Sequence, residues 1–179
     1  MHSLKQLILG LVIVLSSLGV ITKVHADEYA KHAQASKYIY LIRHAEKQLD
    51  VKDPSLTVCG VQRAQSIAKQ LELIAIDNVF STNYQRTLQT AKPVAQSKNV
   101  VIKHYNPKEL EAFAIELKQL PGNSVIVGHS NTTAVLAGLL TNIELTSFDE
   151  SIYDRLYQVV IIGGNAQLQI LQQNFNCSQ

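Results

Sequence analysis

The sequence of 179 residues has no cluster of lysine or arginine residues, no low-complexity stretch and no internal repeat. The lack of a basic cluster argues against a surface for nucleic acid or for an anionic membrane. Charged residues make up only 17% of the chain and hydrophobic residues 46%, which is ordinary for a globular protein. This length is sufficient for one domain with a real hydrophobic core and too short for two.

Cysteine is scarce, since only Cys59 and Cys177 are present and neither lies near a histidine in the sequence. This pattern gives no indication of a metal site, and we expect neither a metal nor a cofactor. An even number of cysteines permits a disulfide in an oxidising compartment. Such a bond would tie the C-terminal tail to the region after the first predicted strand, and the sequence alone leaves the paired and the free states open.

Long apolar runs are missing as well. The apolar run Leu7–Ile21 has 15 residues, fewer than the roughly 18 that a membrane span needs. It follows Lys5 and is followed by Val24-His25-Ala26, a small-x-small cleavage pattern. This arrangement predicts a signal peptide over residues 1–26, a mature domain over 27–179, a periplasmic or secreted location and no stable membrane span after cleavage. An uncleaved anchor is the alternative.

Apolar runs and helical periodicities alternate along the rest of the chain. The pattern predicts strands at 37–42, 78–81, 100–105, 124–127, 156–162 and 167–171, and helices at 57–73, 83–98, 108–120 and 132–140. Thr57 is suited to cap the first helix, Pro93 is expected to kink or end the second, and Pro107 suits the first turn of the third. The order predicts a single three-layer α/β domain with a mostly parallel sheet, helices on both faces and an antiparallel C-terminal hairpin.

Histidines follow two of these predicted strands, as Arg43-His44 and Gly128-His129. Because parallel strands end at one edge of a sheet, we expect both imidazoles there, where open α/β sheets place their chemistry. Arg43 and Arg86 can supply planar, paired N–H donors for the nearly two negative charges of a phosphomonoester. His44 can attack phosphorus if it is neutral and its other ring nitrogen is held by an acceptor, for which we expect a backbone carbonyl.

Four segments resemble motifs of the histidine phosphatase superfamily, also called the phosphoglycerate-mutase-like superfamily. The segments are Leu41-Ile42-Arg43-His44-Ala45-Glu46, Asp53–Ala64, Phe80–Ala91 and Val127-Gly128-His129-Ser130-Asn131. They occur in the family's order and at its spacing. The resemblance implies a phosphohistidine on His44 that water later hydrolyses, with Arg43, Arg86 and His129 around the phosphoryl group and no metal required.

The proton donor for an alcohol leaving group is less clearly marked. The resemblance implies an Asp or Glu near the end of the third strand, where Glu109 is the first choice and Glu111 the second. Asp154 is a further possibility, and without an acid, phosphoramidates become the better substrates. Arg63 is interpreted as a surface or packing residue, and Glu46 as a salt-bridge partner.

These residues predict a phosphatase that hydrolyses phosphate monoesters or phosphoramidates through His44. Only 42 residues separate Arg86 from His129, which leaves no room for the large lid of the superfamily's acid phosphatases. We therefore expect an open pocket for a phosphorylated small molecule, a sugar phosphate or a phosphoprotein. The alternative is a non-catalytic phosphate-binding module that keeps the superfamily's pocket.

Overall fold

The computed structural model describes residues 36–50 and 52–177. The predicted signal peptide, residues 1–26, and the segment that follows it to residue 35 lie outside the described residues. Within the described ranges, no helix has both the length and the apolar character needed to cross a bilayer.

The described residues form one six-stranded sheet and four helices. The strands are β1 (Lys37–Arg43), β2 (Asn78–Ser81), β3 (Ile102–His104), β4 (Ser124–Gly128), β5 (Arg155–Ile162) and β6 (Asn165–Gln172). The helices are α1 (Val58–Gln70), α2 (Gln85–Lys98), α3 (Leu110–Gln119) and α4 (Thr133–Thr141). The strand order is β3-β2-β4-β1-β5-β6, in which the first four strands are parallel and β5 and β6 are antiparallel. The predicted α/β fold with its C-terminal hairpin is confirmed.

The sheet separates two hydrophobic cores, because alternate side chains of a strand point to opposite faces. In β1, Ile39 and Leu41 pack toward α3 and α4, while Tyr40 and Ile42 pack toward α1 and α2. All four side chains are almost fully buried. This explains why β1 is a continuous apolar run, as expected for a strand covered on both faces.

Local sequence patterns predicted most helix starts correctly. Two details of the helices differ from the prediction, namely the effect of Pro93 and the first residue of α3. Thr57 caps α1 as predicted, its hydroxyl accepting from the Gly60 N–H at 3.0 Å. Helix α2 continues through Pro93 to Lys98, held by residues such as Val94 that are buried against the sheet. Helix α3 begins at Leu110 instead of Lys108, because the Lys108 N–H donates to the Asn106 side chain at 3.1 Å in a turn.

Candidate active site

Three parallel strands end at the same level and set up the site. Arg43 pairs with Gly128 across β1 and β4, and Ser81 pairs with Val127 across β2 and β4. The residues that follow these strands are therefore neighbours at the carboxyl edge of the sheet. The His44 N–H also donates to the Gly128 carbonyl at 2.9 Å, which joins the two histidine-bearing turns directly.

The two predicted histidines come together, with ring centroids 5.6 Å apart. The His44 Nδ1 lies 2.8 Å from the Ala45 carbonyl, so it must donate there, and the expected carbonyl acceptor is confirmed. A neutral His44 then keeps its lone pair on Nε2. Burial lowers the pKa of His44 to about 3, and the positive charges of Arg43 and Arg86 act in the same direction. The hydrogen bond to the Ala45 carbonyl raises the pKa and offsets part of this effect. The ring is therefore neutral at physiological pH.

His129 is held by hydrogen bonds on both ring nitrogens. Its Nε2 lies 3.0 Å from the Thr82 hydroxyl, and its Nδ1 lies 3.4 Å from Nη2 of Arg86. Because a guanidinium can only donate, Nδ1 accepts in this arrangement and Nε2 donates to Thr82. Burial and then the positive charges of Arg86 and Arg43 lower the pKa of His129 to about 4.

The turn after β4 fixes the position of His129. Its N–H donates to the Thr132 hydroxyl at 3.0 Å, and its carbonyl accepts from the Thr133 N–H at 2.9 Å. A Cβ on Gly128 would lie 2.6 Å from the Tyr105 hydroxyl, so only glycine fits this close approach. The Thr132 and Thr133 amides are thus engaged by the His129 carbonyl and do not face the cleft as anion donors.

Arg86 stands at the start of α2 beside His129. Its guanidinium lies over the Tyr84 ring at 4.6 Å from the centroid, and Nη1 is 3.7 Å from the Asp53 carboxylate. Its Nε is buried without a hydrogen-bond partner among the described residues. A buried charged donor of this kind costs free energy unless a ligand satisfies it.

Arg43 is arranged differently. Arg43 is only 2% exposed. Its Nη1 donates to the Glu150 carbonyl and also, at 3.0 Å, to the Ile152 carbonyl. The Tyr153 ring covers the guanidinium, with Cζ of Arg43 4.2 Å from the ring centroid. Its Nε is also buried and unpartnered within the described part of the chain. Arg43 thus anchors the loop before β5 and supplies positive charge to both histidines from beneath the site.

A cleft of about 410 Å³ opens over these groups. Its lining residues are His44, Lys47, Tyr84, Arg86, Pro107, Lys108, His129, Ser130, Asn131, Thr132 and Glu150. The structure therefore brings three of the four predicted phosphate-binding side chains into one cleft and places Arg43 below it. We call residues 43–45 the inner wall, and Tyr84, Arg86, Lys108 and Glu150 the outer wall.

The predicted acids do not line this cleft. Glu109 and Glu111 are exposed, and Glu109 lines a separate cavity with His104 and Asn106. Asp154 accepts from the Gln172 side chain at 2.6 Å at the start of the hairpin. The geometric reason is the late start of α3: the turn at Pro107–Lys108 directs Lys108, and not Glu109, to the cleft.

Sequence reasoning missed two residues at the site. Thr82 directly follows β2, as His44 follows β1 and His129 follows β4, so the rule that strand ends carry the chemistry pointed to it. Its hydroxyl contacts both His129 and, at 2.9 Å, the Thr87 hydroxyl. Glu150 lines the cleft from the loop before β5, and no motif or periodicity marks it in the sequence.

A buried ion pair supports the loop that follows His44. Glu46 was predicted to be a salt-bridge partner. Its carboxylate accepts hydrogen bonds from Nε and Nη2 of Arg63, and the distance from Nη2 to Oε1 is 2.6 Å. Arg63 also donates to the Phe175 carbonyl at 3.3 Å. Cys59 and Cys177 form a disulfide with their Cα atoms 5.6 Å apart. The tail is therefore tied to α1 beside Glu46, and sulfurs bonded to each other offer no thiolate to a metal.

Part of the chain is similar in sequence to known proteins. The sequence model described as the histidine phosphatase superfamily (branch 1) matches residues 39–112. The protein named "probable phosphoglycerate mutase GpmB" of Proteus mirabilis (strain HI4320) is 31% identical over 90 residues. Residues 39–112 thus match the histidine phosphatase superfamily, and this relative supports the same assignment. The matched region covers 46% of this chain and 42% of that relative, so the chain spans less than half of that relative's length.

Solved structures share the fold of this chain. The protein histidine phosphatase SixA, complexed with tungstate, superposes with a TM-score of 0.66 at 17% identity, covering 78% of this chain and 97% of that one. The α-ribazole phosphatase from Shigella flexneri gives a TM-score of 0.65 at 17% identity, covering 79% and 100%. At this level of identity the likeness concerns the fold.

Proposed function

We propose that the protein is a phosphatase that hydrolyses phosphate monoesters or phosphoramidates through a phosphohistidine on His44. The observation that carries the proposal is the state of His44: a neutral ring whose Nδ1 is engaged by the Ala45 carbonyl and whose free lone pair lies on Nε2, in a cleft shared with Arg86 and His129. A neutral, oriented imidazole beside guanidinium groups is what nucleophilic attack on a phosphoryl dianion requires.

In the first step, a phosphoryl dianion binds to Arg86, whose buried Nε lacks a partner in the described structure. Nε2 of His44 attacks phosphorus, forming the N–P bond as the bond from phosphorus to the leaving group breaks. His129 and the charge of Arg43 stabilise the oxygens of the transferred group. When Arg86 donates to the bound phosphoryl group instead of to Nδ1 of His129, this nitrogen can carry the proton and donate to a phosphoryl oxygen, while Nε2 accepts from the Thr82 hydroxyl.

Glu150 is our candidate for protonating the leaving group. Among the described residues it contributes the carboxyl group that lines the cleft, and its carbonyl is fixed by Arg43. A bound phosphoryl dianion nearby favours the neutral form of a carboxyl group. In the second step the resulting carboxylate takes a proton from water as the water oxygen attacks phosphorus, the N–P bond breaks and inorganic phosphate leaves.

Transfer of the phosphoryl group to a second alcohol is the other activity considered, because one similar protein is named as a mutase. The cleft is open, and between α4 and β5 the described residues contribute only Glu150 to its lining. We therefore propose that water is the main acceptor. Adding a second alcohol to the reaction separates the two activities, since a mutase forms a new ester and a phosphatase releases inorganic phosphate.

We extend the proposal to the cell compartment: the protein is exported to the periplasm or beyond. Two features support this extension. The N-terminal sequence has the order of a signal peptide, and the two cysteines are paired, as in proteins of oxidising compartments. Fractionation of cells that express the full chain, with N-terminal sequencing of the mature form, tests it.

The test of the activity is hydrolysis of 4-nitrophenyl phosphate and of a phosphoramidate by the mature chain in the presence of a metal chelator. His44→Ala is expected to lower kcat/KM by roughly 10³-fold or more, since it removes the nucleophile. His104→Ala is the matched control, because His104 lines another cavity. If the wild type binds phosphate but releases none from either substrate, the non-catalytic binding module is the correct description.

A further inference from the structure

The C-terminal tail closes against α1 through residues that the proposed reaction does not use. We call residues 173–177 the tail strap. The strap begins where the Gln173 N–H donates to the Asp154 carbonyl at 2.7 Å. It ends at Cys177, whose disulfide bond reaches Cys59 in the first turn of α1, 118 positions earlier in the sequence. Gln173 is buried, whereas both cysteines are partly exposed and therefore accessible to a thiol.

Between its two ends, the tail strap contacts the ion pair that supports the loop after His44. Nε and Nη2 of Arg63 bind the Glu46 carboxylate, and Nη1 of Arg63 donates to the Phe175 carbonyl at 3.3 Å. The Phe175 ring also lies against this guanidinium, with Cζ of Arg63 5.0 Å from the ring centroid. Arg63 therefore joins the tail strap to the residue two positions beyond His44.

The disulfide contacts the same carboxylate. Sγ of Cys177 lies 3.4 Å from Oε1 of Glu46. The residue before Glu46 is Ala45, whose carbonyl lies 2.8 Å from Nδ1 of His44 and orients the imidazole. The nucleophile is thus connected to the disulfide through three consecutive residues and one side-chain contact.

The disulfide is the covalent attachment of the tail strap. Beyond Gln173, the polar contacts of the strap within the described ranges are the hydrogen bond from Arg63 and the approach of Cys177 to Glu46. Chain ends held by so few contacts fray. A frayed strap would admit water to an ion pair whose side chains are now 7% and 19% exposed, and ion pairs in water hold their members weakly. The segment that carries His44 would then lose one of its supports.

We propose that the Cys59–Cys177 disulfide is a redox latch that keeps the site in its reactive geometry. The protein is active when the two cysteines are bonded and much less active when they are thiols. The inference rests on the proposed function, because it concerns the regulation of the same site. Such a latch confines activity to oxidising compartments and keeps the chain nearly inactive before it reaches one.

The reagent that opens the latch is a dithiol. One of its thiolates attacks the Cys177 sulfur, the S–S bond breaks, and the electron pair leaves on the Cys59 sulfur. The first turn of α1 favours this direction, because a helix N-terminus stabilises a thiolate. The second thiolate of the dithiol then displaces Cys177 from the mixed disulfide. The dithiol becomes a disulfide, and the two protons that it loses balance those gained by the two cysteines.

The test measures hydrolysis of 4-nitrophenyl phosphate by the mature chain when oxidised, after reduction with dithiothreitol, and after reoxidation. Because the sequence holds only two cysteines, the reagent acts at this one bond. Reduction is expected to lower kcat/KM by about tenfold, since a small displacement of a reacting group is costly in rate, and reoxidation to restore it. Circular dichroism at the assay temperature shows whether the reduced chain is folded, and its unfolding there would overturn the latch.

Variants at the start of α1 sharpen the test. Cys59→Ser/Cys177→Ser is expected to have the low activity of the reduced chain and no response to dithiothreitol. Val58→Ser is the matched control, because Val58 is the exposed neighbour of Cys59, and this variant should keep both the full activity and the response. Full activity of the double variant would overturn the inference, because the disulfide would then only stabilise the fold.

Hydrogen–deuterium exchange separates this inference from the proposed function. In the reduced chain, peptides that cover residues 43–47 and 173–177 are expected to exchange faster, while a peptide from β4 is unchanged. Unchanged exchange at residues 43–47 overturns the inference whatever the activity. Faster exchange there in a chain that hydrolyses no phosphate ester in either state supports the redox-dependent geometry and overturns the proposed function.

Discussion

The inner and outer walls of the cleft are built by different physics. Residues 43–45 of the inner wall continue a buried strand and are at most 3% exposed, so packing on both faces of the sheet fixes them. The outer-wall residues Tyr84, Lys108 and Glu150 are exposed and lie on turns or loops. We conclude that the proposed nucleophile, Nε2 of His44, is placed by the core of the fold, whereas the exposed groups of the outer wall lie where sequence can vary at little cost in stability.

The two arginines give the largest expected difference between the walls. Arg86→Lys should lower kcat/KM by roughly 10³-fold because lysine lacks the planar donors, yet change the free energy of unfolding by less than about 0.5 kcal/mol. Arg43→Lys should also cost about 2 kcal/mol in the free energy of unfolding, since it removes donors from the partly buried carbonyl groups of Glu150 and Ile152. Steady-state kinetics and urea unfolding of both variants measure these effects. Equal losses of stability would remove the distinction between the walls.

The ion pair behind the inner wall gives the next effect. Arg63→Met leaves Glu46 without its partner in a site where the two side chains are 7% and 19% exposed. The free energy of unfolding is expected to fall by about 3 kcal/mol, as for other buried pairs that lose one member. Lys69→Met is the control, because its pair with Glu72 is exposed, with side chains 78% and 55% accessible, and its loss is expected to leave the free energy of unfolding nearly unchanged. A similar loss in the two variants would contradict a structural role for Arg63.

The same contrast explains what could be predicted from the sequence. Strand runs and motif spacing placed His44, His129 and Arg86 correctly at one edge, because burial on both faces leaves a strong apolar signal. Arg43 was expected to hold the phosphoryl group directly; the structure places it beneath the cleft with a buried Nε that has no hydrogen-bond partner among the described residues, and its contact with phosphate stays a prediction. Glu109 was preferred because the sequence does not reveal that the Lys108 N–H donates to the Asn106 side chain, which moves the start of α3. Glu150 was missed because no motif marks the loop before β5. Such loop geometry depends on tertiary contacts that periodicity does not record.

A smaller effect separates Glu150 from Glu109. Glu150→Gln should lower kcat/KM for an alkyl phosphate by roughly 10²-fold, since an alkoxide leaves poorly without a proton. The loss with 4-nitrophenyl phosphate should be much smaller, because nitrophenolate needs little protonation. Glu109→Gln should leave both rates unchanged, since Glu109 lies on a separate cavity. The reverse pattern would restore Glu109 as the acid.

The last expected change concerns pH. Because the pKa values of His44 and His129 are lowered to about 3 and about 4, neither imidazole should titrate in the free protein between about pH 5 and 8. The unfolded chain binds these protons near pH 6.5, so the free energy of unfolding should decrease as the pH falls from about 6.5 toward 4. Nitrogen-15 NMR of the histidine rings, assigned with His44→Gln and His129→Gln, measures this. A ring that titrates near 6.5 would show that the inner wall does not exclude water.

The central claim is that Nε2 of His44 becomes covalently phosphorylated. The direct measurement is a rapid-quench reaction of the mature protein with a labelled substrate, followed by peptide mass spectrometry under alkaline conditions. We expect a phosphoryl group on His44 that is stable to alkali, labile to acid and lost in His44→Ala. A fully active enzyme that yields no labelled protein in the burst phase, or one labelled at another residue, would contradict the account.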